Sequence, residues 1–105
     1  MSAISTHVLN TSSGRAAANV GVRLLESNRE IGRGSTDANG RCASLLPPGA
    51  ELAAGVYRLI FDVQLIFPEG FYPEVSVVFL VRDPAAHYHI PLLISPFGYT
   101  TYRGT

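Results

Sequence analysis

Three histidines and a few arginines are the side chains of this sequence best suited to proton transfer or to binding a negatively charged group. His87 and His89 stand two residues apart. Alternate residues of a β-strand share a face, so their Cβ atoms are expected within about 7 Å of each other. An imidazole with a pKa near 6.5 exchanges protons close to neutral pH. The pair is open to three interpretations: an acid–base site, metal ligands, or polar residues at the end of a strand.

Metal binding is the least favoured of these interpretations. A zinc or similar site needs additional ligands, usually a cysteine or carboxylate at short spacing, and we expect none near this pair. The residues around this pair therefore predict no metal site.

His7, Arg41 and Arg103 each have an ordinary structural interpretation. His7 lies within a short apolar strand, where a hydrogen-bonded structural histidine is the default. Arg41 follows a tight turn as a solvated cation would, and Arg103 is placed to pair with a terminal carboxylate. Taken together, however, two imidazoles can activate water and protonate a leaving nitrogen, while a guanidinium holds a planar, oxo-rich ring. This combination suits hydrolysis of a small heterocycle. The sequence contains no serine or cysteine nucleophile elbow, so a covalent intermediate is not indicated.

The elements that must position these residues are strands. Period-2 alternation recurs between Gly, Pro and Asn residues, and no helical period is sustained. The pattern predicts an all-β fold, a two-sheet antiparallel sandwich of seven to eight strands with at most one short helix, around 50–54. The predicted strands are Ile4 to Asn10, the segment around Val20 to Leu24, Arg29 to Ser35, Tyr57 to Phe67, Tyr72 to Val81, His87 to Ser95 and Tyr99 to Arg103.

Two of these segments carry more specific expectations. From Tyr57 to Phe67 the odd positions are apolar, which predicts one long half-buried strand. The segment from Tyr72 to Val81 is apolar on both faces, which predicts a place inside the sandwich or at a subunit interface. The turn at Asp37-Ala38-Asn39-Gly40 is strongly indicated, because Asn and Gly tolerate positive φ.

Length and composition restrict the class of protein. The chain has 105 residues, enough for a single domain spanning 1–105. Hydrophobic residues make up 47% and charged residues 15%, which excludes a disordered chain and suggests burial between subunits as well. Eight basic and eight acidic side chains cancel, so neither nucleic acid nor an anionic membrane is an expected partner.

Cys42 is the single cysteine, so an internal disulfide is excluded. We favour a small buried hydrophobe at this position over a reactive thiol. The amino-terminal residues lack the basic and apolar regions of a secretory leader, and no segment reaches the roughly 18 apolar residues of a membrane span. These features predict a cytoplasmic protein.

Three motifs carry a resemblance to a known family. The stretch HYHIPLLISPFGYTTYRGT, from His87 to Thr105, is similar to the carboxyl-terminal signature of the 5-hydroxyisourate hydrolases, relatives of transthyretin whose chains typically end in Tyr-Arg-Gly-Ser. THVLN near the start and TDANGRC in the middle match the family in order and approximate spacing. The similarity covers essentially the whole chain.

The resemblance implies a transthyretin-like sandwich that assembles as a homotetramer, a dimer of dimers with active sites in a central channel. It implies hydrolysis of 5-hydroxyisourate, a small-molecule substrate from urate degradation, without metal or organic cofactor. By matching motifs, His7 and His89 orient and deprotonate water, and Arg41 fixes the substrate. Tyr102, Arg103, Gly104 and Thr105 shape the pocket, Thr105 supplying a hydroxyl. His87 is ranked as a rim residue.

Some details depart from the family or follow from it. Thr105 replaces the usual serine, and the helix expected after the Tyr57 strand is predicted to be absent or reduced to a turn. Pro91 and Leu93 share the face of His89 and would line the channel. The alternative is a non-catalytic transthyretin-like carrier of a small aromatic ligand, but transthyretin lacks the paired histidines and the Tyr-Arg-Gly ending. A secreted interaction module would be expected to carry a leader and disulfides.

Overall fold

Short alternating segments form the strands of the computed structural model, which describes residues 3–43 and 45–105. Residues 1, 2 and 44 of the predicted domain lie outside this description. In chain order the strands are β1 (Ile4–Asn10), β2 (Arg15–Ala16), β3 (Gly21–Glu26), β4 (Arg29–Ser35), β5 (Arg41–Cys42), β6 (Gly55–Asp62), β7 (Glu74–Val81), β8 (Tyr88–Ser95) and β9 (Gly98–Thr101).

The strands form two sheets. The first sheet has the order β2-β1-β8-β9, with β5 also paired to β1, and the second sheet has the order β4-β3-β6-β7. Neighbouring strands run antiparallel except β1 and β8, which are parallel in a seven-residue register from Ile4 opposite Tyr88 to Asn10 opposite Ile94. Parallel neighbours need a long crossover connection, and here the chain passes through the second sheet before it returns to β1.

The core lies between the sheets and follows from alternation within each strand. In β1, Ile4, Thr6 and Val8 are buried, while Ser5 and His7 face outward. Side chains at alternate positions of β3, β6 and β8 meet them. The largest fully buried residues are Tyr57, Phe61, Ile4, Leu24, Leu45, Leu59, Leu92, Ile94, Val8, Val20, Val22 and Val63.

The predicted all-β, two-sheet sandwich is confirmed, with nine strands among the described residues rather than seven or eight. No helix forms within these residues, including the positions around 50–54. A helix of the length and apolar character needed to cross a membrane is accordingly absent from the described part of the chain.

The strand predicted from Tyr57 to Phe67 is wrong beyond Asp62. Apolar alternation continues in the sequence, but the Phe67 amide donates to the Val63 carbonyl at 3.1 Å, which closes a turn. Leu65 is consequently 78% exposed instead of lying on the core face. This turn stands where the resemblance suggested a helix reduced to a turn.

The apolar residues on both faces of β7 have different environments. Val75 and Val81 point into the core and are buried, whereas Val78 and Leu80 point outward and are 57% and 50% exposed. Of the two predicted places, the sandwich interior therefore holds only for the inward face of β7, and a subunit interface stays a prediction for the outward face. Cys42 is buried at 7% exposure, as expected for a small hydrophobe.

Candidate active site

Three strands of the first sheet place the candidate residues on one outward face. Ser5 and His7 alternate outward along β1. His7 lies directly opposite Arg41 of β5, and Ser5 lies directly opposite His89 of β8. Because these are registered cross-strand neighbours, their side chains emerge next to each other on the same face. Residues separated by more than 80 positions in the sequence thereby come into contact.

Arg41 is positioned by the turn that precedes it. The Asp37 carboxylate accepts hydrogen bonds from the backbone amides of Asn39 at 2.8 Å and Arg41 at 3.0 Å. Gly40 has φ +75°, and a Cβ there would stand 2.5 Å from the Val8 carbonyl oxygen, so glycine is required. Those two amides hold the pKa of the Asp37 carboxyl below its usual value, and the carboxylate therefore remains charged.

His7 is fixed in one tautomer by this turn. Its Nε2 lies 2.8 Å from the Asn39 carbonyl oxygen, which can only accept, so Nε2 carries the proton and donates. In the neutral imidazole this leaves Nδ1 as the acceptor nitrogen. The hydrogen-bonded structural histidine and the acid–base histidine are therefore compatible interpretations of His7.

His89 is hydrogen-bonded through its other ring nitrogen. Nδ1 lies 2.9 Å from the Ser5 hydroxyl, which also lies 3.0 Å from Nε2 of His87. Nε2 of His89 has no hydrogen-bond partner among the described residues and is left for a ligand. His87 precedes β8, is exposed, and joins His89 through a shared hydroxyl.

The terminal segment packs directly against His89. The Gly104 amide donates to the His89 carbonyl oxygen at 2.8 Å. A Cβ on Gly104 would stand only 2.6 Å from Cδ2 of the His89 ring and 3.2 Å from Cγ of Pro91. Residue 104 is thus limited to glycine by contact with the imidazole, and its backbone helps set the orientation of the ring.

Tyr102 and Arg103 point away from this contact. The Arg103 guanidinium carbon lies 4.6 Å from the centroid of the Tyr88 ring, and Nη2 donates to the His87 carbonyl oxygen at 3.3 Å. Tyr102 is 56% exposed and lines an apolar gap between β7 and β9 with Val77 and Phe79. In a single chain neither side chain lines the pocket formed beside the His87 and His89 imidazoles.

A pocket of about 200 Å³ opens on this face. Its lining residues are Ser5, Thr6, Arg41, Cys42, Ala43, His87, His89 and Thr105. None of them is an aspartate or glutamate. The structure therefore brings Arg41, His89 and Thr105 to one pocket, with His7 next to Arg41 in register and Gly104 behind His89. Leu93 and Pro91 share the face of His89, Leu93 being half-buried and Pro91 buried.

The electrostatics of the pocket favour neutral His89. Partial burial lowers the pKa of His89 below its usual 6.5, and the nearby charges of Arg41, His7 and His87 lower it further. A hydrogen bond with the Ser5 backbone acts in the opposite direction. A neutral imidazole at neutral pH is the form that can accept a proton.

Two contributors were not found from the sequence. The two-residue spacing of Ser5 from His7 puts both on one face of β1, but nothing in the sequence indicates a role for Ser5. The Asn39 carbonyl carries no sequence signal, because any residue supplies a backbone oxygen. No group of three or more His, Cys, Asp or Glu residues within 3–43 and 45–105 is arranged to hold a metal ion.

The sequence pattern that defines the HIUase/Transthyretin family matches residues 4–104. The chain belongs to this family. The site described above lies within the matched range except for Thr105. Family membership confirms the relationship indicated by the His-Tyr-His, THVLN and TDANGRC motifs.

Individual members of the HIUase/Transthyretin family resemble the chain over its full length. The 5-hydroxyisourate hydrolase of Mus musculus is 40% identical over 99% of this chain and 96% of its own length. The structure of Klebsiella pneumoniae 5-hydroxyisourate hydrolase superposes with a TM-score of 0.89 at 34% identity, covering 100% of both chains. Sea bream transthyretin in complex with thyroxine gives a TM-score of 0.86 at 29% identity, covering 98% of this chain and 95% of its own.

Proposed function

We propose that the protein hydrolyses 5-hydroxyisourate to 2-oxo-4-hydroxy-4-carboxy-5-ureidoimidazoline in urate degradation. The observation that carries the proposal is the meeting of Arg41, His89 and Thr105 at one pocket, with His7 next to Arg41. The similarity to hydrolases named for this substrate supports it, as the mouse relative does at 40% identity. A pocket of about 200 Å³ suits a small heterocycle rather than a polymer.

The two histidines supply the proton transfers. Nδ1 of neutral His7 and Nε2 of His89 are the nitrogens left free by Asn39 and Ser5, so each can orient a water molecule. One imidazole takes a proton from that water as its oxygen bonds to the ring carbonyl carbon. The carbon–nitrogen bond of the cyclic amide then breaks, and the protonated imidazole returns a proton to the leaving nitrogen.

Arg41 binds the substrate and stabilises the negative charge that develops on the carbonyl oxygen. Its side chain makes no hydrogen bond or ion pair within the described residues, and no described aspartate or glutamate side chain lines the pocket to neutralise it. The planar guanidinium offers paired donors that match a ring rich in carbonyl oxygens. A fixed cation next to an oxygen that becomes charged lowers the barrier without reorganising.

The terminal residues complete the site in this proposal. Gly104 holds the His89 ring, and Thr105 brings a hydroxyl to the pocket where the family usually has serine. Tyr102 and Arg103 are assigned a shaping role, which Arg103 can exert through its hydrogen bond to the His87 carbonyl.

We also propose that four chains assemble as a dimer of dimers around the outward face of the first sheet. Strands β7 and β9 each pair with only one described strand, and open strand edges favour pairing with another chain. Exposed apolar residues are plentiful, including Leu65 at 78%, Phe97 at 75% and Phe71 at 70%. Light scattering after size-exclusion chromatography should give about four times the monomer mass, and a monomer would contradict this arrangement.

The proposed activity is tested by the ultraviolet decay of freshly generated 5-hydroxyisourate, made in situ by urate oxidase, with and without the protein. The wild type should accelerate the decay, with or without a chelator. His89→Asn should lose about a thousandfold in kcat/KM, since general acid–base groups contribute roughly 10² to 10⁴. Decay at the spontaneous rate with folded, assembled wild-type protein would contradict the proposed hydrolase activity.

A cytoplasmic location stays a prediction, which cell fractionation would test.

A further inference from the structure

The Ser5 hydroxyl lies between two imidazoles that the proposed hydrolysis uses unequally. Its oxygen is 2.9 Å from Nδ1 of His89 and 3.0 Å from Nε2 of His87. A hydroxyl has one proton to donate and lone pairs to accept with. If it donates to one ring it must accept from the other, so the tautomers of the two histidines are linked through Ser5.

The backbone holds this arrangement in place. Ser5 lies opposite His89 in the parallel register of β1 and β8, and Gly104 closes against the other side of the His89 ring. His87 precedes β8 and is exposed, whereas His89 is half-buried in the pocket. The three side chains thus form a hydrogen-bonded path from half-buried His89 to exposed His87.

The basic groups around His89 favour a path that carries a proton away from it. His7 faces it from β1, Arg41 from β5 and His87 from the residue before β8. No aspartate or glutamate side chain among residues 3–43 and 45–105 lines the pocket. A protonated His89 would stand among these basic groups, so a route that removes its second proton has an electrostatic advantage.

We propose that Ser5 is a positioning residue that sets the His89 tautomer and links His89 to His87 in a proton relay. The inference rests on the proposed hydrolase function. In the resting state His89 carries its proton on Nδ1 and donates to Ser5, whose hydroxyl donates to the unprotonated Nε2 of His87. The Nε2 lone pair of His89 then faces the attacking water.

Protons are balanced in the forward transfer from water to His87 and in the return transfer to His89. As water bonds to the carbonyl carbon, its proton moves to Nε2 of His89, the Nδ1 proton moves to Ser5, and the Ser5 proton moves to Nε2 of His87. His87 holds the extra positive charge at the exposed end, while His89 is neutral with a proton on Nε2. That proton goes to the leaving nitrogen, and the reverse transfer through Ser5 restores the resting tautomers.

The tautomers are measured directly by long-range ¹H–¹⁵N correlation spectra of the assembled protein, with His7 and His87 assigned by substitution. Wild-type His89 should show the Nδ1–H pattern above its titration range. Ser5→Ala should shift His89 towards the Nε2–H form that a free imidazole prefers, and Ser5→Thr should restore the wild-type pattern. An Nε2–H pattern in the wild type, or no change in Ser5→Ala, would overturn the proposal.

Kinetics provide the second readout. Ser5→Ala should lower kcat about tenfold to one hundredfold with KM nearly unchanged, as expected when the partner of a functional imidazole is removed. Ser5→Thr should recover most of the activity. Adding His87→Gln to Ser5→Ala should cost little more, because the two act as one unit. Losses that multiply would contradict the relay.

Ser76→Ala provides the matched control, since Ser76 is an exposed serine of β7 on the other sheet and should leave kcat unchanged. Wild-type protein without hydrolase activity would count against the proposed function alone, because the tautomer measurement needs no substrate.

Discussion

The outward faces of the two sheets use the same strand geometry for different purposes. On the first sheet, imidazoles and Arg41 converge at a pocket that no described aspartate or glutamate side chain lines. On the second sheet, Arg33 is bound by Glu30 through two hydrogen bonds of 2.6 and 2.9 Å, and Asp62 and Glu74 lie opposite each other. Charges of both signs are therefore present on the second face, while basic groups dominate the first.

The difference lies in where the acidic groups are used. Asp37 is close to the first face, but its carboxylate accepts two backbone amides and shapes the turn before Arg41. On the second face Glu30 neutralises an arginine, and the pKa of Glu30 is lowered chiefly by that hydrogen bond. The site on the first face stays basic because the nearby Asp37 carboxylate binds backbone amides and does not pair with Arg41.

Replacing one arginine by glutamine on each face gives the largest expected difference between the two sheets. Arg41→Gln should lower kcat/KM about one hundredfold to one thousandfold, as loss of a group that stabilises an oxyanion does. Arg58→Gln is the control, because Arg58 is an exposed arginine on the outward face of β6. Steady-state rates of 5-hydroxyisourate decay measure both. Equal activity of the two variants would show that unpaired basic charge on the first face is not required.

Much of the first face could be predicted from the sequence. Alternation along the first strand predicts that His7 lies on the other face from Thr6 and Val8. The turn from Asp37 to Gly40 predicts that Arg41 begins a strand. Strand alternation and turn formation depend on neighbouring residues, so both can be recognised in the sequence. The family resemblance, confirmed over residues 4–104, supplied the expectation that these distant segments meet.

What the sequence left out depends on contacts between segments. The pairing of Ser5 with His89 requires the parallel register of β1 and β8, which no local pattern encodes. The end of β6 at Asp62 was missed because apolar alternation continues to Phe67 while a backbone turn overrides it. The contact of Gly104 with His89 depends on the segment after β9 folding back along β8.

Glycine substitutions give a second, smaller test of the difference between the faces. Gly104→Ala should push the His89 ring away, since the new Cβ would stand 2.6 Å from Cδ2, and kcat should fall about tenfold. Gly21→Ala on the second sheet is the control, because the nearest atom to its new Cβ is 3.8 Å away. Thermal unfolding should show both variants folded. A fully active Gly104→Ala would show that this contact does not orient His89.

Proton binding by His89 gives the smallest and most specific effect. Its pKa is lowered by partial burial and then by Arg41, His7 and His87, so NMR titration should place its midpoint below 6.5. Activity should fall as pH drops through that midpoint, because protonated His89 cannot accept a proton from water. Below about pH 6.5 the unfolded chain also binds more protons at this residue, so stability should decrease on acidification until folded His89 is protonated.

Arginine substitutions then separate the causes of this shift. Arg41→Gln should raise the His89 midpoint but leave it below 6.5, because burial is the larger cause. Arg58→Gln, on the opposite face, should not move it. A midpoint at or above 6.5 in the wild type, or equal shifts in the two variants, would mean that the basic surroundings of the first face do not control His89.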